Sequence, residues 1–379
     1  MKKEQLEILQ NLPLDLKIQK TQLRIKEFYE YYNGDVFVSF SGGKDSTVLL
    51  DIARKIYPNI KAVFCDTGLE YPEIKEFVKT YNNVDIIKPE LTFKQILTKY
   101  GYPVISKDVA KHIDTARNWI YNNIYDDDKY HKYSLDELVK YIDTNVLAQP
   151  LQHKDATDEE RISKIIDLHD ANITQNIACI LGMLRKDGKI QWSPERSCRS
   201  NYNRSKWSHM LNSDFKISDK CCQFIKKRPL DDYGKAHNMF PIIGTITEES
   251  DLRYRSWLKY GCNVFNKNPK SRPLSFWKEQ DILKYIYENN IKICSVYGDV
   301  EETNGEYYTT KMRRTGCMFC CFGLQYDDHP NRFELLKDSH PKLYHYCIDG
   351  GDYSDNGWWQ PNKDGLGIGH VCKFLRVKV

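Results

Sequence analysis

Residues 35–46 read Asp-Val-Phe-Val-Ser-Phe-Ser-Gly-Gly-Lys-Asp-Ser. Ser41, Gly42, Gly43, Lys44, Asp45 and Ser46 bring together what a phosphate requires: hydroxyls, small residues that let an anion approach the backbone, and one cation. A short apolar run precedes them, and a helical pattern (Thr47-Val48-Leu49-Leu50-Asp51-Ile52-Ala53) follows at once. That order predicts strand, turn and helix N-terminus. A helix start leaves backbone N–H groups unpaired and carries partial positive charge, so it holds phosphates. The spacing is not that of the Walker loop, GxxxxGK[ST]. The duller reading is a glycine turn ahead of an ordinary helix.

A second loop follows the next apolar run, at Phe64-Cys65-Asp66-Thr67-Gly68. Asp66 is suited to a ribose or a magnesium ion. Thr67 is suited to a phosphate or to capping the helix that opens at Pro72. Alone, these residues read equally well as a strand-end turn.

Cysteines give the other strong signal. Cys221-Cys222 stands nearly a hundred residues before Cys317-Met318-Phe319-Cys320-Cys321. Two such pairs make a four-thiolate set, which suits zinc or an iron–sulfur cluster. An adjacent pair is cramped on one zinc ion and easier on a cluster with several irons. Lys226, Lys227, Arg228, Arg313 and Arg314 flank these residues, and cations stabilise thiolates. Structural zinc and unligated core thiols remain alternatives at this point. Cys321 reads as a sulfur carrier or a packed thiol.

The elements that must position these residues follow a βαβ rhythm. Strands are expected at 35–40, 60–65 and 84–88, with helices between them, and another strand within 236–246. Alternation of this kind implies a parallel twisted sheet with flanking helices, and ligands at the carboxyl ends of its strands. Five segments are expected: a helical arm at 1–33, a first α/β part at 34–105, a helical insertion at 106–200, a second α/β part with the Cys-Cys segment at 201–290, and a cysteine-rich cap at 291–379. Trp277–Asn290 reads as an amphipathic helix, and Asp126-Asp127-Asp128 as a solvated loop.

Composition bounds the rest. The 379 residues are 41% hydrophobic, enough for a core, and carry 56 basic against 52 acidic side chains. A net charge of +4 does not announce nucleic-acid binding. One stretch, Arg196-Ser197-Cys198-Arg199 with Tyr202, Arg204, Lys206 and Trp207, is basic and aromatic enough to contact a nucleic acid, though a solvated loop is the commoner case. No run of about 18 apolar residues suggests a signal peptide or membrane span. Twelve cysteines without a secretion signal then point to a cytoplasmic chain with metal ligands or core thiols.

Together these motifs make a resemblance. Ser41–Ser46 resembles the pyrophosphate loop of the PP-loop ATP pyrophosphatases. From about Gly34 to Leu336 the chain is similar to the phosphoadenosine phosphosulfate (PAPS) reductase family, whose fold is adenine nucleotide α-hydrolase-like. The segment 221–230 resembles that family's CCxxRKxxPL motif, with Ile225 at the arginine position. Gly244–Arg253 resembles its nucleotide-contacting GxRxxES loop, with Ile246 at the arginine position and Arg253 or Arg255 as replacement. By that resemblance Cys221, Cys222, Cys317 and Cys320 are ligands of a [4Fe-4S] cluster.

Two departures direct the functional expectation. The loop is intact, whereas sulfonucleotide reductases usually carry a degraded one. The tail Gly369-His370-Val371-Cys372-Lys373 lacks the Glu-Cys-Gly-Leu-His-like context of their attacking cysteine, so Cys372 reads as packed. Both point to an ATP-using enzyme that releases pyrophosphate and activates an acceptor for sulfur transfer, with Lys44, Asp45 and Asp66 catalytic. ATP, Mg2+ and the cluster are the expected cofactors. Ser41 through Ser46, Asp66, Thr67, Gly244 and Arg253 are the expected nucleotide contacts. The resemblance extends to enzymes of DNA phosphorothioation and tRNA thiolation, so a nucleic acid acceptor and a sulfur donor protein or small thiol are expected partners. A sulfonucleotide reductase is the alternative. A non-catalytic nucleotide-binding module of a mobile-element defence system is a third reading.

Overall fold

A computed structural model describes residues 3–121, 127–132, 179–180 and 203–379. It divides into two compact units, one of residues 1–92 with 223–318 and one of residues 93–222 with 319–379.

The first unit is built on a six-stranded sheet. Its strands are β1 (Val36–Ser39), β2 (Lys61–Cys65), β3 (Val84–Ile87), β5 (Phe240–Ile243), β6 (Asn263–Val264) and β7 (Lys270–Ser271); the short β4 (Val104–Ile105) belongs to the other unit. The order across the sheet is β3-β2-β1-β5-β7-β6. All neighbours are parallel except the edge pair β6 and β7. Central strands covered on both faces must be apolar throughout, and Val36, Phe37, Val38, Ala62, Val63 and Phe64 are all buried.

Helices α1 (Lys3–Gln10) and α2 (Leu14–Tyr31) form the N-terminal arm and break near Pro13. The arm is tied in by polar contacts that its helical spacing alone does not reveal. Lys17 is buried and pairs with Asp281 at 2.6 Å, while Trp277 Nε1 donates to Thr21 Oγ1 at 2.9 Å. Helix α3 (Lys44–Ile56) buries Val48, Leu49, Leu50, Ile52 and Ala53, and α4 (Pro72–Lys79) opens on its proline, whose missing N–H costs nothing there.

The second unit includes α5 (Phe93–Tyr100) and α6 (Lys107–Ile120). Arg117 of α6 is buried and donates to the carbonyls of Met210, Leu211 and Phe215 and to Ser213 Oγ, which fixes the 205–217 segment. The region beyond 319 is more regular than its composition suggests, with helices at Arg332–Ser339, Pro341–Ile348 and Ile368–Leu375.

These divisions differ from the expected segments. Residues 291–318 belong with the first unit rather than with a C-terminal cap. There the hairpin Val300–Thr303/Glu306–Thr309 is held to the helix Glu279–Glu288 by two hydrogen bonds between Gln280 and the Tyr307 backbone, at 2.8 and 2.9 Å. Residues 93–105 and 201–222 fall in the second unit, not in the α/β part. Most of the expected insertion at 106–200 lies outside the described residues. Of its acidic run, Asp127 and Asp128 are exposed, as a solvated loop requires, yet the Asp128 carbonyl accepts from Trp358 Nε1.

Candidate nucleotide site

The strand order reverses direction at β1. From there the chain runs one way to β2 and β3, and the other way to β5 and β7. A switch point of this kind leaves a crevice beyond the strand carboxyl ends. The loop 40–43 leaves β1 there, and Gly244 leaves β5 beside it.

Gly42 has φ +70°, and a Cβ on it would stand 2.9 Å from Ile74 Cγ2. Only glycine fits there without strain. Gly42→Ala should therefore destabilise the chain by about 1–3 kcal/mol, read from denaturant unfolding. Gly43 is extended at φ −80° and is the N-cap of α3. Ser41 Oγ and Ser46 Oγ lie 3.0 Å apart, and Ser46 Oγ also takes the Ser41 N–H at 3.1 Å and donates to the Gly43 carbonyl at 3.0 Å. The loop is thus closed on itself, with both hydroxyls at the start of α3. Gly244 is close-packed against it, since a Cβ there would meet the Asp45 carbonyl at 3.0 Å.

Lys44 is 7% exposed and fully engaged. Its ammonium donates to the Arg313 carbonyl at 2.8 Å, lies 3.7 Å from Glu279 and sits over the Tyr297 ring. Burial lowers its pKa, against the attraction of Glu279 and Asp45. The Lys44 backbone also hydrogen-bonds Tyr297, whose hydroxyl meets Thr315 Oγ1 at 2.5 Å; burial pushes that phenol up to about 12. Glu279 holds Arg313 at 2.6 Å and Arg314 at 3.9 Å. Burial works to raise the Glu279 carboxyl, but Arg313, Lys44 and Arg314 outweigh it and hold it below the ordinary range. Arg313 and Arg314, read from sequence as neighbours of the cysteines, thus stand at the phosphate loop. Glu279, Tyr297 and Thr315 carried no sequence signal for this site.

Asp45 faces a cationic group. Burial raises its pKa, opposed by Lys44, Arg253 and Arg314. A carboxylate with a raised pKa in the fold loses stability as the pH climbs through that value. Asp45→Asn should therefore raise the unfolding midpoint at pH 8, and the gain should shrink as the pH falls through the raised value towards the ordinary carboxylate range. Arg253 pairs with Glu249 and acts on Asp45, whereas Arg255 is exposed and pairs with Asp251. Ile246 is buried.

Asp66 follows β2. Burial pulls its carboxyl up, but hydrogen bonds from Lys75 and the Gly68 N–H, with Lys88 nearby, hold it below the usual range. The shortest Lys75 contact, 2.7 Å, and the Gly68 N–H at 3.1 Å both fall on Oδ1, so Oδ2 is the oxygen available to a cation. Asp66 and Asp45 are thus both set among cations, Asp66 with Lys75 and Lys88 and Asp45 with Lys44, Arg253 and Arg314. Thr67 is committed locally: its hydroxyl donates to Glu70 at 2.6 Å and its N–H to the other Glu70 oxygen at 3.0 Å. It shapes the turn rather than presenting a free hydroxyl to phosphate.

The cysteines divide between the units. Cys317 belongs to the first; Cys221, Cys222 and Cys320 belong to the second. Arg332 donates to the Cys320 and Phe322 carbonyls at 3.1 and 3.0 Å. Four thiols suit an iron–sulfur cluster chemically. Among the described residues, however, no three Cys, His, Asp or Glu side chains are gathered to hold a metal ion. Cys321, Cys347 and Cys372 are fully buried in the second unit, so Cys321 and Cys372 are packed thiols. Cys198 lies outside the described residues. Arg204 pairs with Asp108, and Lys206 lies over the Trp207 ring. Among the described residues no helix is long and apolar enough to cross a membrane.

With that geometry in place, comparison with known proteins is decisive at the family level. The profile of the phosphoadenosine phosphosulfate reductase domain matches residues 35–120 and 184–321, more than half of the chain. The chain belongs to this family. An uncharacterized protein of Methanocaldococcus jannaschii is 38% identical over 96 residues, covering 23% of each chain. Adenosine 5'-phosphosulfate reductase 2 of Bacillus subtilis is 32% identical over 83 residues, which cover 20% of this chain and 35% of that enzyme. The chain thus spans about a quarter to a third of these relatives. A crystal structure of phosphoadenylyl-sulfate reductase from Candida auris, a phosphate complex, aligns with 78% of this chain and 90% of that one, at TM-score 0.33 and 11% identity.

Proposed function

We propose that this family member uses ATP: it cleaves the nucleotide at the α-phosphate, releases pyrophosphate and activates an acceptor for sulfur transfer. The observation that carries this reading is the closed loop at the start of α3. Its paired Ser41 and Ser46 hydroxyls adjoin a cationic group of Lys44, Arg253, Arg313 and Arg314. An acceptor oxygen or sulfur attacks the α-phosphorus. The bond from that phosphorus to the bridging oxygen breaks, and pyrophosphate leaves with the electron pair. Gly42, Gly43 and the amides at the start of α3 cradle the leaving group, while Ser41 donates to its oxygens and Ser46, bonded to the Gly43 carbonyl, holds the loop closed. Lys44 offsets the charge that develops. Asp66 would hold magnesium, which when bound draws off phosphate charge. The thiolate of a donor protein or small thiol then attacks the adenylylated carbon of the acceptor, forming a carbon–sulfur bond as the carbon–oxygen bond breaks and AMP leaves with the electron pair, so that the acceptor stays joined to the donor through sulfur. The test is pyrophosphate release from ATP by anaerobically purified protein against candidate acceptors; no release with any acceptor above the protein-free rate would overturn it.

The second reading, a sulfonucleotide reductase, is favoured by the names of the Bacillus and other relatives. It needs an accessible thiol nucleophile. Cys372 is 0% exposed within the helix Ile368–Leu375, which weighs against it.

Cys221, Cys222, Cys317 and Cys320 carry a [4Fe-4S] cluster in this proposal. Thiol chemistry and family membership support it, and no step is routed through it. Anaerobic protein should contain about four irons and four sulfides per chain, with broad visible absorption, and serine at any of the four should abolish both. Stoichiometric zinc without iron would return these cysteines to a structural role.

A further inference from the structure

The rim of the first unit's sheet carries a basic group that the phosphate loop does not use. Ser271 ends β7 opposite Ile242 of β5, and the two strands run parallel. Arg272 therefore leaves the sheet at its carboxyl end, one strand over from Gly244. Its backbone N–H is held by the Cys262 carbonyl at 2.8 Å. Its guanidinium is half-buried and donates through Nη1 to Ser256 Oγ at 2.6 Å, on the helix Asp251–Tyr260. Arg253 stands one turn earlier on that helix, and Arg272 is near enough to depress its pKa.

The two arginines differ in what answers their charge. Arg253 has Glu249 and Asp45. Burial lowers the Arg272 pKa, and no carboxylate offsets it. Lys270, at the start of β7, is half-buried as well. Burial lowers its pKa, Arg272 and Lys227 lower it further, and Asp231 opposes them. Among the described residues neither Arg272 nor Lys270 forms an ion pair. Three cations, Lys227, Lys270 and Arg272, thus stand against the one carboxylate of Asp231, a surplus of two positive charges. Crowding and partly burying like charges costs stability unless an anion answers them. The surplus matches a phosphate monoester, which carries about two negative charges at pH 7, whereas a carboxylate carries one. A guanidinium offers a planar fork to phosphate oxygens, and here Ser256 anchors one of its nitrogens and so fixes the plane.

We propose that Arg272, backed by Lys270 and Lys227, binds a phosphate group at the rim of the sheet beside the nucleotide site. The group is that of a small phosphorylated acceptor or the free ion. Its role as an acceptor handle rests on the ATP reading, but its binding is measured without turnover.

The test is modification of the full chain by phenylglyoxal, followed at each arginine by mass spectrometry. It is run at constant ionic strength with and without saturating α,β-methylene-ATP and magnesium. Glycerol 3-phosphate at ten times its half-saturating concentration should slow modification of Arg272 about tenfold in both conditions. Modification of Arg255, exposed on the same helix, should not change. Glycerol 3-phosphate should also raise the unfolding midpoint of wild type and of the exposed control Lys259→Gln, but not of Arg272→Gln. Stronger protection by glycerol 3-phosphate than by inorganic phosphate identifies an ester as the ligand; equal protection identifies the free ion. Protection of Arg272 where the ATP analogue does not bind would keep this site and sink the ATP reading. The proposal fails if Arg272 resists phenylglyoxal, if neither phosphate probe slows its modification, or if the ATP analogue alone protects it and abolishes the effect of glycerol 3-phosphate.

Discussion

Lys44→Ala should lower pyrophosphate release by about 10²–10³-fold, the usual cost of removing one donor aimed at developing charge. The fold should survive. Removing the ammonium leaves Glu279 still bound to Arg313 at 2.6 Å, so no buried carboxylate is stranded. The Arg313 carbonyl loses a donor but lies on a segment whose guanidinium is 77% exposed, where water can replace it. Far-UV circular dichroism and the unfolding midpoint should match wild type within a few degrees. Adding Asp45→Ala should deepen the loss, because it removes the carboxylate facing Arg253 and Arg314. Release within threefold of wild type would show that the loop does not carry the chemistry.

The same residues mark how far the sequence could be read. Ser41–Ser46 was legible because strand, glycine turn and helix start are contiguous, and so was Gly244, which follows β5. The cations that complete the site were not. Arg313 and Arg314 stand beside Cys317 in sequence, and only the fold of residues 291–318 onto the helix Glu279–Glu288 brings them to Lys44. Glu279 was hidden for a related reason: an acidic residue in a helix's first turn reads as a partner of the helix dipole, not as a clamp on a distant arginine. Tyr297 and Thr315 meet across a loop, which no periodicity encodes. Thr67 reads two ways from sequence, as a phosphate contact or as a local cap. Its type fits a phosphate contact, but Glu70, three residues on, takes both its hydroxyl and its N–H. The segment boundaries moved because residues 291–318 were assigned by their nearness to the cysteines rather than by what they pack against.

ATP should displace a fluorescent adenine nucleotide far better than adenylyl sulfate or PAPS does. In the proposed pose the start of α3 and Ser41 meet the far end of the nucleotide, with Lys44, Arg253, Arg313 and Arg314 adding positive charge. A sulfonucleotide ends at one sulfate where ATP continues through two more phosphates, so it engages fewer of these groups. A hydrogen bond to a charged group contributes about 1.5–3 kcal/mol, and losing a single one costs roughly 10- to 150-fold in affinity. The apolar Ile246, buried where the related loop carries arginine, removes a further charge from the sulfate side. Arg253 supplies a cation nearby, but it is already paired with Glu249. Competition at fixed magnesium should therefore separate ATP from both sulfonucleotides by at least tenfold, and Lys44→Ala should narrow that gap while hardly changing sulfonucleotide affinity. Tight sulfonucleotide binding with sulfite released on adding thioredoxin would establish the reductase reading instead. It would also require the helix Ile368–Leu375 to move, because Cys372 has no exposed surface from which to attack sulfur.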